Sequence, residues 1–214
     1  MVRSSKKNWI FDLDGVIVFT DKFHYLAWKK MAKTIGIDLD EKTNNRLRGV
    51  SRADSLEIIL EQYKGEPLSQ KKKNELMEEK NNLYREYLNE MTPNDVSDDV
   101  KKTLRVLRER GDKLAIGSSS KNARLILEKV GLTDAFDEIA DGTNIKKGKP
   151  DPEVFLKAAE FLHKAPEKCI AVDDAFSGID AAKNANMKAI GIGDSARYEK
   201  ADYKINKFSD LLAI

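Results

Sequence analysis

Short apolar runs recur along this chain: "NWIF" (8–11), "KLAIGS" (113–118), "CIAVDD" (169–174) and "KAIGIG" (188–193), with a weaker one near "EIADG" (138–142). Runs of this length, bounded by turn-forming residues, read as buried strands. Between them the apolar residues return every three or four positions. Val100, Leu104 and Leu107 form one helical face closed by Gly111, and Ala123, Leu127 and Val130 form the next, closed by Gly131. Residues 152–163 and 178–186 continue the series. Helices alternating with strands require crossover connections, so the expected fold is α/β with a parallel sheet. The tail "YKINKFSDLLAI" predicts an edge strand and a last helix.

Between the first run and the second the period is helical throughout. His24, Ala27, Trp28, Met31, Ala32 and Ile35 share one face, ended by Gly36; further helices are expected at about 41–48, 52–62 and 69–90, with "KGEP" (64–67) as a break. Trp28 and Met31 belong to the core of this helical insertion. The charge run "QKKKNELMEEKNN" reads as a solvated helix face. A length of 214 residues suits one large domain, or one domain carrying such an insertion. With 38 basic and 36 acidic residues the net charge is only +2, too little to draw in nucleic acid or a membrane surface. The single cysteine, Cys169, allows neither an internal disulfide nor a Cys-rich metal site, and reads as a buried strand residue. The N-terminus lacks a signal-type apolar region, and no apolar stretch approaches the roughly 20 residues that span a bilayer. A cytoplasmic monomer is expected.

The chemistry gathers where the strands end. Asp12 and Asp14 follow the first run, Ser118 ends another, and Asp173 and Asp174 end a third; Lys149 lies in "KKGKPDP" after the weak run. In a parallel sheet these groups share the carboxyl edge, where ligands bind. Four carboxylates crowded together would repel and raise one another's pKa. A divalent cation relieves this, and all-oxygen ligands favour Mg²⁺. Lys149, with the hydroxyls and N–H groups of Ser118 and Ser119, supplies positive potential for a phosphate. Any one of these aspartates could be a turn or helix cap; the ordered set points to a site.

"FDLDGVI" resembles the DxDG motif that opens the haloacid dehalogenase superfamily. "SSS" (118–120), Lys149 in "KGKPDPEVF" and "VDDAFSGIDAAKNA" resemble its second, third and fourth motifs, in order. The resemblance implies a Rossmann-like core over 1–17 and 96–214, with an all-helical C1 cap inserted over 18–95. It further implies Asp12 as the nucleophile that takes the phosphoryl group and Asp14 as general acid/base. Mg²⁺ is then held by Asp12, the backbone carbonyl of Asp14, and Asp174, with Asp173 direct or through water. An aspartate at position 14 argues against dehalogenation, which does not need that acid.

Within the insertion, "HYLAWKKMAKTIGI", "LRGVSRADSLEIIL" and "EKNNLY", together with "SSSKN" (118–122), resemble the beta-phosphoglucomutase-like subfamily. This implies interconversion of beta-glucose 1-phosphate and glucose 6-phosphate through a bisphosphate. It also implies that Arg52 binds the distal phosphate and that Gly49, Val50 and Ser51 form a loop against the sugar, with Ser55 and Lys80 nearby. His24 would couple substrate binding to Asp14. Ser118, Ser119, Ser120, Lys121 and Asn122 would line the transferring phosphate or its rim. Against these roles stand a surface Arg52 paired with Asp54 or Glu57, a packed His24 and a solvated Lys80. The chain departs from the subfamily at Phe19, where Asp is common before Thr20, although Thr20 or Asp21 could cap the first helix. It departs also at Asp173, where Glu is usual, at Arg48 for Lys, and at Ala175, which lacks a hydroxyl. The alternatives are a sugar-phosphate phosphatase on the same scaffold and, more distantly, a non-catalytic module that binds a sugar phosphate or a protein.

Overall fold

Strand β1 (Asn8–Phe11) lies at the centre of a six-stranded sheet in a computed structural model that describes residues 6–47 and 51–214. It pairs on one side with β2 (Lys113–Gly117) and on the other with β4 (Cys169–Asp173), so that Ile10 stands between Ala115 and Ala171. β3 (Glu138–Ala140) extends the sheet beyond β2; β5 (Lys188–Gly191) and β6 (Tyr203–Lys204) extend it beyond β4. The order is β3-β2-β1-β4-β5-β6 and every pairing is parallel. The chain builds outward from β1 on one side and then returns to build the other. The order therefore reverses between β1 and β4, and a crevice opens beyond their carboxyl ends.

Successive side chains of β1 point to opposite faces. Ile10 packs with Val154, Phe155, Ala158, Ile179 and Ala182 of α7 (Glu153–Phe161) and α8 (Phe176–Asn184). Trp9 and Phe11 serve the other face: their rings stack at 6.3 Å, and Phe11 meets Phe136 at 6.2 Å and Phe208 at 5.5 Å. Phe208 begins the short 3-10 segment Phe208–Ala213, which stands where the tail predicted a helix and packs on α5 (Asp98–Glu109). α6 (Ala123–Lys129) connects β2 towards β3. Cys169 is buried in β4.

The chain divides into two units, Met1–Phe19 with Thr92–Ile214, and Thr20–Met91. Among its described residues the second unit carries helices only: α1 (Asp21–Thr34), α2 (Glu41–Asn45), α3 (Arg52–Leu60) and α4 (Gln70–Leu88). Asp40, Ser51 and Ser69 precede the last three, and each side chain accepts the N–H three residues on. Thr20 stands at the N-cap of α1 but makes no side-chain cap bond; its hydroxyl accepts from Tyr84 instead, at 3.1 Å. Trp28, Met31, Leu39, Leu56, Ile59 and Leu76 form this unit's core. No helix among the described residues is long and apolar enough to cross a membrane.

Candidate active site

β1 ends at Phe11, and the next residues turn tightly: Gly15 N–H donates to Val18 O at 2.7 Å, and Ile17 N–H to Leu13 O at 3.0 Å. This turn carries Asp12 and Asp14 at the sheet edge. Gly15 has φ 89°, a left-handed conformation, and any Cβ there would occupy the space of the Asp174 carboxylate. The glycine of "DLDG" thus serves both the turn and the approach of β4's aspartate.

Asp12, Asp173 and Asp174 bring carboxylate oxygens within 4.8 Å of one another. Lys149 reaches in from the loop after β3, and its ammonium donates to Asp12 Oδ1 at 2.6 Å and to Asp173 Oδ2 at 2.7 Å. Both bonds are well shielded, with Lys149, Asp12 and Asp173 side chains 9%, 12% and 2% exposed. Burial pushes the Asp12 carboxyl well above the usual carboxylate range; Lys149 opposes this, and the neighbouring carboxylates of Asp173 and Asp14 add to it. Burial also opposes charge on Lys149, but the two carboxylates outweigh it and hold the ammonium above its ordinary value. The carboxylates of Asp12, Asp173 and Asp174 converge here around the Lys149 ammonium, and a divalent cation would relieve their mutual repulsion. The donors are oxygen throughout, so the residues fit a hard cation.

Asp173 is fixed further by the N–H of Ala175, which donates to its Oδ1 at 2.9 Å. Gly178 in the first turn of α8 faces the same carboxylate, and a Cβ there would overlap it. The Asp173 side chain is therefore held by Lys149, a backbone N–H and a gap left by glycine. A cavity of about 300 Å³, lined by Gly15, Val16, Phe19, Asp174, Ile192 and Gly193 among others, borders Asp174. Phe19, 71% exposed, is among the residues that line this cavity.

The loop after β2 carries the serines. Ser118 is buried, its N–H donates to Ala140 O, and its Oγ accepts from Ser120 N–H at 3.1 Å. Ser120 Oγ accepts in turn from Asn122 N–H at 3.2 Å. Ser119 and Lys121 are exposed, whereas Asn122 is buried. Gly142 lies against this loop: a Cβ there would strike Ser119 O and crowd Lys121 N. Gly142 and Gly178 were not expected from sequence. Gly178 had a signal, as a glycine in a helical stretch directly after an acidic strand end, where close approach explains the lost helix propensity.

The helical unit holds a second polar group. Lys80 is only 2% exposed, which overturns a solvated lysine. Its ammonium donates to His24 Nδ1 at 2.8 Å and lies over the rings of Tyr84 (4.6 Å) and Trp28 (5.0 Å). His24 stacks on Tyr84 with centroids 4.0 Å apart. Burial, then the charges of Lys80 and Arg52, push the His24 imidazole well below its usual pKa. Arg52, at the start of α3, donates to Asn81 Oδ1 at 2.9 Å; Glu57 is taken by Lys73 and Asp54 by the Ser51 hydroxyl. Ser51 is the exposed N-cap of α3, and Ser55 is buried within that helix. Gly49 and Val50 lie outside the described residues.

The chain matches the family of haloacid dehalogenase-like hydrolases over residues 9–192. It is 42% identical over 203 residues to a beta-phosphoglucomutase of Bacillus subtilis, covering 94% of this chain and 90% of that protein. It is 31% identical over 183 residues to a phosphorylated carbohydrates phosphatase of Thermotoga maritima, covering 85% and 82%. Among solved structures, a beta-phosphoglucomutase from Clostridium difficile is similar at a TM-score of 0.88 and 40% identity, covering 96% of this chain and 93% of that one.

Proposed function

The chain belongs to the haloacid dehalogenase-like hydrolase family, and within it we propose a Mg²⁺-dependent beta-phosphoglucomutase. The observation that carries the chemistry is the convergence of Asp12, Asp173 and Asp174 on one another, with Lys149 bridging the first two. The likeness to beta-phosphoglucomutases over nearly the whole chain supports a hexose phosphate as substrate.

In this reading an Asp12 carboxylate oxygen attacks phosphorus in line. The bond from phosphorus to the sugar oxygen breaks, and that oxygen takes a proton from Asp14. In the return step a sugar hydroxyl gives its proton to Asp14 and attacks the phospho-aspartate, freeing Asp12. Lys149 keeps the Asp12 carboxylate aimed and partly neutralised. Asp12, Asp174 and the backbone carbonyl of Asp14, with Asp173 direct or through water, would hold Mg²⁺, which would supply charge neutralisation for the phosphoryl group. Ser118 to Asn122 offer hydroxyl and N–H donors to that group. Arg52 is the fork-shaped donor for the second phosphate of a bisphosphate intermediate; Gly49, Val50 and Ser51 would meet the sugar with Ser55 and Lys80 nearby, and His24 would couple substrate binding to Asp14.

The test supplies beta-glucose 1-phosphate, Mg²⁺ and a trace of the bisphosphate, and measures glucose 6-phosphate and inorganic phosphate in parallel. Glucose 6-phosphate in large excess over phosphate is expected. Mainly inorganic phosphate would reject the mutase and leave a sugar-phosphate phosphatase, a reading favoured by the likeness to the Thermotoga maritima protein. Asp12→Asn is expected to lower either activity by about 10⁴-fold or more, as loss of a nucleophile does.

A further inference from the structure

Asp173 and Asp174 leave the sheet at the end of β4. Their backbone is held by another group. Asp173 is the last residue of β4 in register with β5, opposite Gly191. Its carbonyl accepts the Ile192 N–H at 3.2 Å, a long bond, and the Ser195 hydroxyl at 2.6 Å. Asp174 lies beyond the ladder, and its carbonyl accepts the Ser195 N–H at 2.9 Å. One residue thus binds both consecutive carbonyls.

The segment around Ser195 is shaped for this contact. Ser195 is fully buried. Its Oγ accepts the Ile192 N–H at 3.0 Å, which leaves its single hydrogen to donate; Asp173 O at 2.6 Å is a closer acceptor than Ile192 O at 3.1 Å. Gly193, at φ 61°, turns the chain back after β5. A Cβ on Gly191 would collide with the Ser195 carbonyl. In "GIGDS" (191–195) the two glycines therefore let Ser195 fold back against the end of β4.

We propose that Ser195 is a positioning residue for Asp173 and Asp174, setting the backbone from which their carboxylates reach a cation. This rests on the reading that these aspartates hold Mg²⁺. Mg²⁺ demands near-ideal octahedral geometry at about 2.0–2.1 Å, whereas Ca²⁺ tolerates looser, larger cages. Loosening this backbone therefore weakens Mg²⁺ more than Ca²⁺, a difference that lost stability alone would not produce.

The test is calorimetric titration of the full chain with Mg²⁺ and with Ca²⁺, in the absence of substrate. Proteins compared are the unaltered chain, Ser195→Ala, Asp174→Asn, and Thr103→Ala as a control that removes a buried hydroxyl from α5. Ser195→Ala is expected to weaken Mg²⁺ by about 10-fold, the lower end for a residue that supports metal ligands from outside. Its Ca²⁺ affinity should change by less than about 3-fold, and Thr103→Ala should leave both unchanged. Mg²⁺ affinity in Ser195→Ala within about twofold of the unaltered chain, or equal losses for Mg²⁺ and Ca²⁺, would overturn the proposal while leaving the metal site intact. If Ser195→Ala does not fold, Ser195→Cys keeps the volume with a weaker donor, and the same two criteria apply to it. Failure of the unaltered chain to bind Mg²⁺, or undiminished binding by Asp174→Asn, would instead reject the metal site and the Ser195 role with it.

Discussion

The ammonium of Lys80 donates to Nδ1 of His24, and a lysine ammonium has no acceptor to offer in return. His24 Nδ1 must therefore be unprotonated, which makes the ring neutral with its hydrogen on Nε2. This agrees with the downward shift of its pKa by burial and by the charges of Lys80 and Arg52. In the unfolded chain His24 takes a proton near its ordinary value of 6.5, while in the folded chain it resists. Stability is therefore lost as pH falls through 6.5 towards the folded value. Urea unfolding at pH 7.5 and 5.5 checks this: His24→Gln, which cannot titrate, should lose less stability between the two than the unaltered chain. An equal loss would remove His24 from the account. Lys149 is buried under the opposite circumstance, between two carboxylates rather than beside a neutral ring. Both lysines are buried in positions where their charge has somewhere to act.

At the scale of elements, α4 shows how a charged sequence can hide a buried face. Leu76, Lys80, Tyr84 and Leu88 recur at intervals of four and are the helix's buried residues. The run around them is rich in charge, and most of it is solvated as expected. Lys80 falls on the inward line, where its stem packs among aromatics and its head finds His24. Helix α8 makes a different compromise. Gly178 sits in its first turns, where alanine would favour the helix by about 0.5–1 kcal/mol. The methyl group would, however, displace the Asp173 carboxylate. Gly178→Ala is therefore expected to lower kcat by about 10-fold or more, the scale seen when support for a metal ligand is lost, without lowering Tm comparably. Turnover assays and thermal melts on the same preparation decide this. Unchanged kcat would mean that Asp173 can move without consequence.

For the whole molecule, the strand order decides where chemistry can occur. β1 and β4 are neighbours although more than 150 positions of sequence separate them, and the reversal of order between them opens the crevice that Asp12, Asp173 and Asp174 share. Three carboxylates at such range are a destabilising arrangement that a cation relieves. A ligand that binds only the folded state stabilises it by about 2.7 kcal/mol at a hundredfold excess over its Kd. Adding Mg²⁺ at that excess after chelation should accordingly raise the Tm of the unit built around the sheet, by about 5–10 °C for a chain of this size. Asp174→Asn should abolish most of the rise. The same melt in the unaltered chain with no Mg²⁺ response would contradict a cation at this site.

The alternation of apolar runs with helical periods was enough to establish a parallel α/β sheet, because burial on both faces and the two periods of regular structure are local properties of the chain. The acidic residues at the strand ends were visible for the same reason: strand direction places them on one edge whatever the strand order. What the sequence could not specify was which side chains meet. Lys149 between Asp12 and Asp173, Lys80 against His24, the missing Cβ atoms at Gly178 and Gly142, and the Ser195 hydroxyl on the Asp173 carbonyl are all set by approaches between segments distant in the chain. Such contacts depend on packing to within a fraction of an ångström, and only the folded sheet and its loops fix distances that closely.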